Sequence, residues 1–330
     1  MTGRPSGLLA LLLIGMSSVI AYAQPPSPAL LVLNKDDNTL AIIDPATNKV
    51  VGTAPTGNAP HEVTTDGRFA YVSNYGPFQP DQPGNSLSVI DLNSRKETRV
   101  DITPLQRPHG ITFAGGQVYF TAELNKTIAR LDPQSLKVDW LLGTGQNRTH
   151  MVVVAKDLHT IFTTNTQSNT VNIIERTSGP EQWIETVVPV GKGSEGCDLS
   201  PDGKQFWVAN AGDGTVSVID VAEKKIVQTL DVGTKHSNRL KFTPDGRLVL
   251  VSDIGSGDVL VIDAASHIVT KRVNLGKSAA GILIVPDGSR AYVALTSQGK
   301  VAIFDLKTLS KTGEIATGRG PDGMAWVDGK

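Results

Sequence analysis

The stretch CDLSPDGKQFWVANAGDGTVSVID, residues 197–220, contains the repeat that decides the fold. It predicts a short apolar strand, a Ser-Pro-Asp-Gly turn, the strand QFWVAN, a glycine-rich turn and the strand TVSVID. Related segments recur along the chain, among them HEVTTDGRFAYVSN with SLSVID and GILIVPDGSRAYVAL with KVAIFD. Self-similarity at a fixed period indicates a repeat architecture, and the length of the period indicates which one.

An acidic residue closes the third strand of every repeat. These residues are Asp44, Asp91, Asp132, Glu175, Asp220, Asp263 and Asp305. They follow one another at intervals of 41 to 47 residues. A period in the low forties with four strands per period is typical of a propeller blade. The seven repeats therefore predict an all-β, seven-bladed β-propeller of four-stranded antiparallel blades.

The two ends of the chain predict how the ring closes. The first repeat begins at what is elsewhere a second strand, LLVLN, and the chain ends on a lone first strand, GMAWV. We expect one blade to combine strands from both ends, because a closed ring leaves no unpaired sheet edge between its first and last blades. The expected domain organisation is a single propeller over residues 29–330.

The first 23 residues resemble a secretory signal. Arg4 provides a charged start, residues 8–16 are apolar, and Ala21-Tyr22-Ala23 is a cleavage site. The alternative, a membrane anchor, is disfavoured because the apolar run is shorter than the ~20 residues of a span. We therefore expect a short linker over residues 24–28 and a periplasmic or secreted protein, without a membrane anchor in the mature chain and monomeric.

Composition excludes some classes of function. The 330 residues carry a formal charge of −1, which gives no electrostatic reason to expect a nucleic-acid partner. The single cysteine, Cys197, excludes an internal disulfide framework, and we interpret it as a buried structural thiol because no basic residue adjoins it. The Gly-x-Ser-x-Gly, phosphate-loop and His-Glu-x-x-His motifs of several enzyme classes are absent from the sequence.

The motifs YVSN, WVAN and YVAL, alternating with SVID and SPDG, resemble those of the YVTN-repeat β-propeller family, including its exported YncE-like members. The resemblance covers essentially the whole mature chain. It implies the propeller fold but no single reaction, and it leaves nucleic acid open as a partner. Lactonase-type and cytochrome d1-type propellers are more distant likenesses, and the d1 type is disfavoured because it resembles an eight-bladed design.

The position just before each first strand should lie at the mouth of the central channel, where propellers present their loops. Around the ring it is occupied by His61, His109, His150, Glu195, Asn238, Ala280 and Asp322. Three adjacent histidines can bind a divalent transition metal, and histidine with carboxylate can also act as base and acid. The alternative is that these histidines only bond loop carbonyls or water. We predict His61, His109 and His150 as metal ligands, and His109, Glu195 and Glu123 as catalytic residues.

Neighbouring positions extend this candidate site. Glu62, Met151 and Arg239 replace the usual glycine of the repeat, and Glu123 stands where other second strands mostly end in Asn or Asp. Arginine suits a carboxylate or phosphate, although Arg148 reads equally well as a solvated loop residue. The longest loop, residues 75–85, carries Tyr75 and Phe78 and is a candidate lid. The predicted ligand-binding residues are His61, Glu62, Tyr75, Arg107, His150, Arg239, Asn238 and Asp322.

Two classes of function fit these residues. The first is a metal- or histidine-assisted lactonase or lyase that acts on a small polar or anionic molecule. The second is a non-catalytic module that binds a protein, a glycan or a nucleic acid. Because propellers host many functions, the fold does not choose between them.

Overall fold

The computed structural model describes residues 27–179 and 182–329. The predicted signal, residues 1–23, and most of the linker lie outside the described residues, so that part of the organisation stays a prediction. In the described part, 28 β-strands form seven four-stranded antiparallel sheets. The only helical segments there are two 3-10 turns, Glu123–Asn125 and Thr296–Gln298, and neither is long and apolar enough to cross a membrane. The predicted seven-bladed propeller is confirmed.

Six blades each use four consecutive strands. Blade 1 comprises β4 (Pro60–Thr65), β5 (Phe69–Asn74), β6 (Ser86–Asp91) and β7 (Lys96–Asp101). Blade 2 comprises β8 (Pro108–Ala114), β9 (Gln117–Ala122), β10 (Thr127–Asp132) and β11 (Lys137–Gly143). Blade 3 comprises β12 (Thr149–Val154), β13 (Thr160–Asn165), β14 (Thr170–Arg176) and β15 (Trp183–Pro189).

The second half of the ring repeats this order. Blade 4 comprises β16 (Ser194–Leu199), β17 (Gln205–Asn210), β18 (Thr215–Asp220) and β19 (Lys225–Asp231). Blade 5 comprises β20 (Ser237–Phe242), β21 (Leu248–Asp253), β22 (Asp258–Asp263) and β23 (Ile268–Asn274). Blade 6 comprises β24 (Ala279–Ile284), β25 (Arg290–Leu295), β26 (Lys300–Asp305) and β27 (Ser310–Ala316).

Blade 7 closes the ring with strands from both ends of the chain, as the sequence predicts. Its order is β28 (Pro321–Val327), β1 (Ala29–Asn34), β2 (Thr39–Asp44) and β3 (Lys49–Pro55). The antiparallel pairing of β1 with β28 sets Leu31 opposite Ala325. Every residue of β1 is buried, which explains why LLVLN is apolar on both faces.

The hydrophobic core lies between the blades. Tyr71 and Leu87 of blade 1, for example, belong to one buried cluster with Val118 and Phe120 of blade 2. Apolar side chains on both faces of the inner and middle strands therefore pack each blade against its two neighbours. Burial of these faces drives ring formation. The outer strands are mostly exposed.

Six of the seven acidic residues that define the repeat hold turns, and the seventh, Glu175, pairs with Lys224 of the next blade. Asp44, at the end of β2, accepts hydrogen bonds from the Ala46 amide at 2.9 Å and the Thr47 hydroxyl at 2.8 Å. Asp305 bonds the amides of Lys307 and Thr308 in the same way. These bonds stabilise the turn to the outer strand, which explains why an acidic residue recurs there.

Candidate functional site

The seven ring residues named from the sequence share one structural position. Each is the second residue of an inner strand, as His61 is in β4 and His109 is in β8. The pairing register shifts between the first and fourth residues of these strands, for example between Pro108 and Ile111. Such a β-bulge re-aims the side chains of the extra residues. The bulges therefore turn one side chain per blade toward the mouth of the channel.

Hydroxyl groups of the second strands tie the bulges of blades 2, 3 and 4 to the preceding blade. Ser73 donates to the His109 carbonyl at 2.6 Å, and Thr121 donates to the His150 carbonyl at 2.7 Å. Thr164 donates to the Glu195 carbonyl at 2.9 Å. These three bonds fix the backbone that carries His109, His150 and Glu195.

The third residue of most inner strands is glycine because the next blade approaches closely. A Cβ on Gly110 would lie 2.6 Å from the His150 carbonyl oxygen, and one on Gly281 would lie 2.1 Å from that of Asp322. Met151 in β12 breaks this rule, and so do Glu62 and Arg239. Glu62 and Arg239 lie on β4 and β20, whose blades are not neighbours, and their side chains form a buried ion pair across the channel.

Above the ion pair lies a cavity of about 420 Å³. Among the predicted site residues, its lining includes His61, Tyr75, His109, Glu123, His150, Glu195, Asn238, Arg239 and Asp322. Phe78 also lies at its edge, 71% exposed, and its ring centroid is 5.8 Å from that of His61. The structure thus brings most of the predicted set into one cavity.

A chain of hydrogen bonds runs through the middle of the cavity. Glu123 accepts from Nδ1 of His150 at 2.5 Å and from the Tyr75 hydroxyl at 2.7 Å. Nε2 of His150 lies 3.0 Å from Oε1 of Glu195, which also accepts from the Asn238 amide at 3.3 Å. Because each ring nitrogen of His150 faces a carboxylate, both nitrogens donate, and the ring is a cation held between two anions.

The pKa values follow from this arrangement. Burial disfavours the charge on His150, but Glu195 and Glu123 outweigh burial and raise its pKa to about 9. Burial also opposes the charge on Glu195, yet His150 and Arg239 lower the pKa of Glu195 to about 2. Glu123 keeps a lowered pKa, against its burial, chiefly through the hydrogen bond from His150.

The other two histidines remain neutral. Burial, reinforced by Lys35, lowers the pKa of His61 to about 4. Burial, and then the cationic His150 beside it, hold the pKa of His109 well below its usual range. The rings of His109 and His150 stack at 3.7 Å, and the ring of His61 lies 5.0 Å from that of His109. The cationic ring of His150 thus stacks on the neutral ring of His109, and the neutral ring of His61 lies next to that of His109.

His109 and His61 differ in how the protein uses their nitrogens. Nδ1 of His61 lies 3.3 Å from the Ala59 carbonyl, so it carries the proton and leaves the Nε2 lone pair unused. His109 is 3% exposed, and its Nδ1 is buried without a partner among the described residues.

Three further predicted ligand-binding residues, Glu62, Arg239 and Asp322, form ion pairs within the protein. Glu62 is paired with Arg239, which also lies 3.6 Å from Glu195. Burial raises the pKa of Glu62 despite the nearby guanidinium. Asp322 forms an ion pair with Lys35 at 2.9 Å, and Lys35 and Arg239 together lower its pKa to about 2 against its burial.

The two upstream arginines are placed differently from what the sequence indicates. Arg107 does not line the 420 Å³ cavity; it lies behind Tyr75 and donates to the carbonyls of Pro77 and Gln79. Arg148, which reads as an ordinary loop residue, lines the cavity and donates to the Tyr75 hydroxyl at 3.2 Å. The order along the chain does not distinguish these two orientations, because both residues precede a ring histidine by two positions.

A metal could use only part of the predicted trio. In the described part of the chain, His109, Glu123 and His150 form the one group whose donor atoms lie within 4.8 Å of one another. His61 is not a member, although the sequence names it as a ligand. Glu123 takes its place because the turn after β9 points this carboxylate at His150.

Lys35 is a cavity residue that the sequence reasoning missed. It directly follows Asn34, the last residue of a second strand. The equivalent positions in blades 1 to 5 also line the cavity: Tyr75, Glu123, Thr166, Ala211 and Ile254. Aligning this position as well as the ring position would have identified Lys35. Cys197, by contrast, is buried as a free thiol whose pKa burial raises to about 12.

Comparison with known proteins supports the fold more than the site. Residues 201–324 match the family model of the cytochrome D1 heme domain, which is less than half of the chain. No curated protein matches the sequence. The seven repeats of the sequence disfavour a likeness to d1-type propellers. The structure has seven blades, yet part of the chain does match the D1 model.

Solved structures that resemble the chain belong to proteins with different names. A Bacteroides uniformis propeller provisionally named 6-phosphogluconolactonase has a TM-score of 0.74 at 15% identity, covering 91% of this chain and 99% of that one. The dihydro-heme d1 dehydrogenase NirN, in complex with DHE, has a TM-score of 0.65 at 15% identity, with 96% and 78% covered. Hydrazine synthase from Kuenenia stuttgartiensis has a TM-score of 0.68 at 19% identity, with 82% and 90% covered.

At these identities the likeness concerns the fold alone. The D1 match begins at residue 201, after His61, His109, Glu123 and His150, so it does not extend to the histidine cluster. The chain is a seven-bladed β-propeller that resembles in fold the dehydrogenase NirN and a propeller provisionally named a lactonase, and polar side chains line the mouth of its channel.

Proposed function

We propose that the cavity binds a small polar ligand and that His109 acts on it as a general base, in chemistry of the lactonase or lyase class. The observation that carries this proposal is the His109 ring, which lines the cavity but has no hydrogen-bond partner for its buried Nδ1. A buried polar group without a partner costs about 1–3 kcal/mol. A ligand group that bonds this ring would recover part of that free energy.

The surrounding charges suit a base. His150 stays protonated between Glu123 and Glu195, and its positive charge disfavours protonation of the stacked His109 ring. His109 is therefore unprotonated near neutral pH, which is the state that a general base requires, although the same charge makes it a weaker base than an ordinary histidine. In this role His150 and its two carboxylates position and tune the base and do not react themselves.

Lactone hydrolysis is the simplest reaction for such a base. His109 would take a proton from water while the water oxygen bonds to the lactone carbonyl carbon. The ring C–O bond then breaks, and the departing oxygen takes the proton from the His109 imidazolium, giving a hydroxy acid. A lyase would use the same base to remove a proton next to a carbonyl. The provisional lactonase name of the Bacteroides uniformis propeller supports this class by analogy of fold.

A panel of sugar and aliphatic lactones tests this proposal. We expect His109→Ala to lower kcat/KM by about 100-fold or more, which is the scale of a lost general base. His159→Ala is the matched control, because His159 is an exposed histidine in a hairpin away from the cavity, and it should retain full activity. Activity that survives in His109→Ala would refute the histidine mechanism. Absence of turnover on the whole panel would favour the non-catalytic binding module.

A divalent transition metal held by His109, Glu123 and His150 is the second candidate, because their donor atoms lie within 4.8 Å of one another. Imidazole and carboxylate are suitable ligands for such an ion. To bind it, His150 would have to lose a proton and one of its two bonds to carboxylates. When bound, the ion would polarise a ligand oxygen or lower the pKa of a bound water.

Metal analysis separates this candidate from the trio predicted by the sequence. If the metal uses the structural group, one equivalent of zinc should be retained by the purified protein and by His61→Ala, and lost from His109→Ala and Glu123→Ala. Loss from His61→Ala and His109→Ala, with retention by Glu123→Ala, would favour the three-histidine site. Protein that binds no zinc, copper or manganese in equilibrium dialysis would eliminate the metal candidate.

A haem fits these residues poorly. The faces of a macrocycle need apolar surroundings, whereas the cavity centre holds the charged series Glu123, His150, Glu195 and Arg239. The large apolar side chains of the lining are Tyr75, Phe78 and Ile254. Both nitrogens of His150 are already bonded. We therefore derive no step that involves a haem, despite the likeness to d1-type propellers.

A further inference from the structure

A second cavity, of about 330 Å³, adjoins the first at the mouth of the channel. Both cavities are lined by Phe78, Glu123, Arg148 and Gln167. We call the second one the outer cavity, and its remaining lining is Pro80, Arg107, Leu124, Lys126 and Asn147. Because the two cavities share one wall, a single elongated molecule can occupy both.

Arg107 gives the outer cavity a buried positive charge. Only 5% of this residue is exposed, and its guanidinium donates to two backbone carbonyls, Pro77 O at 3.1 Å and Gln79 O at 2.8 Å. It also lies 4.8 Å from the centre of the Tyr75 ring. None of the ion pairs among the described residues includes Arg107. A buried cation without an anion is unfavourable, so this charge has a missing counterpart.

Two further cations line the same cavity. Lys126 also has no ion-pair partner in the described ranges, and Arg148 has only Glu123, at 3.4 Å. Glu123 is the one carboxylate of this lining, and it already accepts hydrogen bonds from His150 and Tyr75. The outer cavity therefore has more positive than negative charge.

Arg239 provides an internal comparison. It is as buried as Arg107, but Glu62 and Glu195 neutralise it. The sequence nominates both arginines for anion binding, and the structure leaves only Arg107 without a carboxylate. The cations available to an anionic ligand are consequently those of the outer cavity.

Apolar side chains flank these cations. Phe78 is 71% exposed and Leu124 is 49% exposed, although both are large hydrophobic residues. They line the outer cavity together, and Phe78 also reaches the first cavity. Exposed apolar groups beside a concave polar site are typical of ligand contacts.

From these observations we infer that the outer cavity binds the carboxylate or phosphate group of an organic anion. Its apolar part lies on Phe78 and Leu124, and its other end reaches His109. Arg148 lies at the junction of the two cavities and contacts the anionic group. The part of this inference that concerns His109 rests on the proposed function, whereas the anion subsite stands on the outer cavity alone.

Calorimetric titration with inorganic phosphate and with phenyl phosphate, in dilute Tris-chloride at pH 7.5, tests the inference. We expect phenyl phosphate to bind more tightly than inorganic phosphate. Arg148→Gln and Lys126→Gln should each weaken both ligands about tenfold, which corresponds to about 1.4 kcal/mol. Phe78→Ala should remove the advantage of phenyl phosphate. Arg107→Gln should weaken both ligands as well, but this variant risks misfolding because Arg107 holds the loop after Tyr75. The Arg148 and Lys126 variants test the subsite without that risk.

Arg247→Gln is the matched control, since Arg247 is an exposed arginine paired with Asp245 in a surface turn. The inference is overturned if neither phosphate binds, or if Arg247→Gln weakens binding as much as Arg148→Gln does. Unchanged selectivity in Phe78→Ala would contradict the apolar contact. His109→Ala should leave inorganic phosphate binding intact. Phosphate binding without lactone turnover would therefore defeat the proposed function alone, and turnover without phosphate binding would defeat this inference alone.

Discussion

Replacing Glu123 by glutamine is expected to lower the free energy of unfolding by about 3 kcal/mol, the scale measured when one partner of a buried ion pair is removed. Glu123 is 2% exposed and bonds both His150 and Tyr75. Glutamine keeps the shape but not the charge, so the buried His150 cation loses one of its two anions. Urea denaturation of the variant and the wild type at pH 7 measures the difference.

Glu314→Gln is the control for this experiment. Glu314 also contacts two cationic groups, Lys300 at 2.7 Å and Lys311, but at the surface of blade 6. Exposed pairs contribute about 0–1 kcal/mol, so we expect a loss within that range. An equally small loss in Glu123→Gln would mean that His150 is not held as a cation, and the electrostatic account of the cavity would be wrong.

The second large effect is a maximum in stability near pH 6.5, produced by histidines whose pKa values move in opposite directions. The pKa of His150 is raised from 6.5 to about 9, so its stabilising contribution is complete below pH 6.5 and is lost as the pH rises toward 9. The pKa of His61 is lowered to about 4, so its contribution is complete above pH 6.5 and is lost as the pH falls toward 4. Each contribution is at most about 3 kcal/mol.

Urea denaturation at constant ionic strength from pH 4.5 to 9.5 measures this profile. His150→Gln should flatten the alkaline side and leave the acid side. His61→Gln should leave the alkaline side and reduce the loss on the acid side, to which His109 also contributes because its pKa is lowered as well. Glu195 and Asp322 have pKa values near 2, so their stabilising contributions are lost mainly below pH 4.5 and do not disturb this range. A wild-type profile that rises steadily to pH 9 would contradict the bonded state of His150.

Much of the site could be predicted from the repeat. The ring position lies at the start of the first strand of every unit, so His61, His109 and His150 can be aligned by inspection. The bulges then place all seven residues at one mouth. The prediction that Glu123 ends a second strand is wrong, because β9 ends at Ala122 and Glu123 therefore corresponds to Lys35 and Tyr75 of the other blades.

Partner choice could not be predicted in this way. Arg107 and Arg148 occupy equivalent positions two residues before a histidine, yet one bonds a loop and the other lines the cavity. The insertion over residues 75–85 causes this difference, because its carbonyls are available only to the arginine of the next blade. Glu62 and Arg239 are separated by 177 residues and meet only because blades 1 and 5 face each other across the channel.

The sequence by itself determined the repeat, the seven blades, the closure by both ends and the ring of candidate residues, because turns, alternation and period are local properties that recur with each blade. Only the tertiary structure decided which charges neutralise one another. Ion pairing depends on distances between side chains on different blades, and those distances arise when the ring closes. His109 without a partner and Arg107 without a carboxylate are consequences of that closure, and they carry the functional proposals.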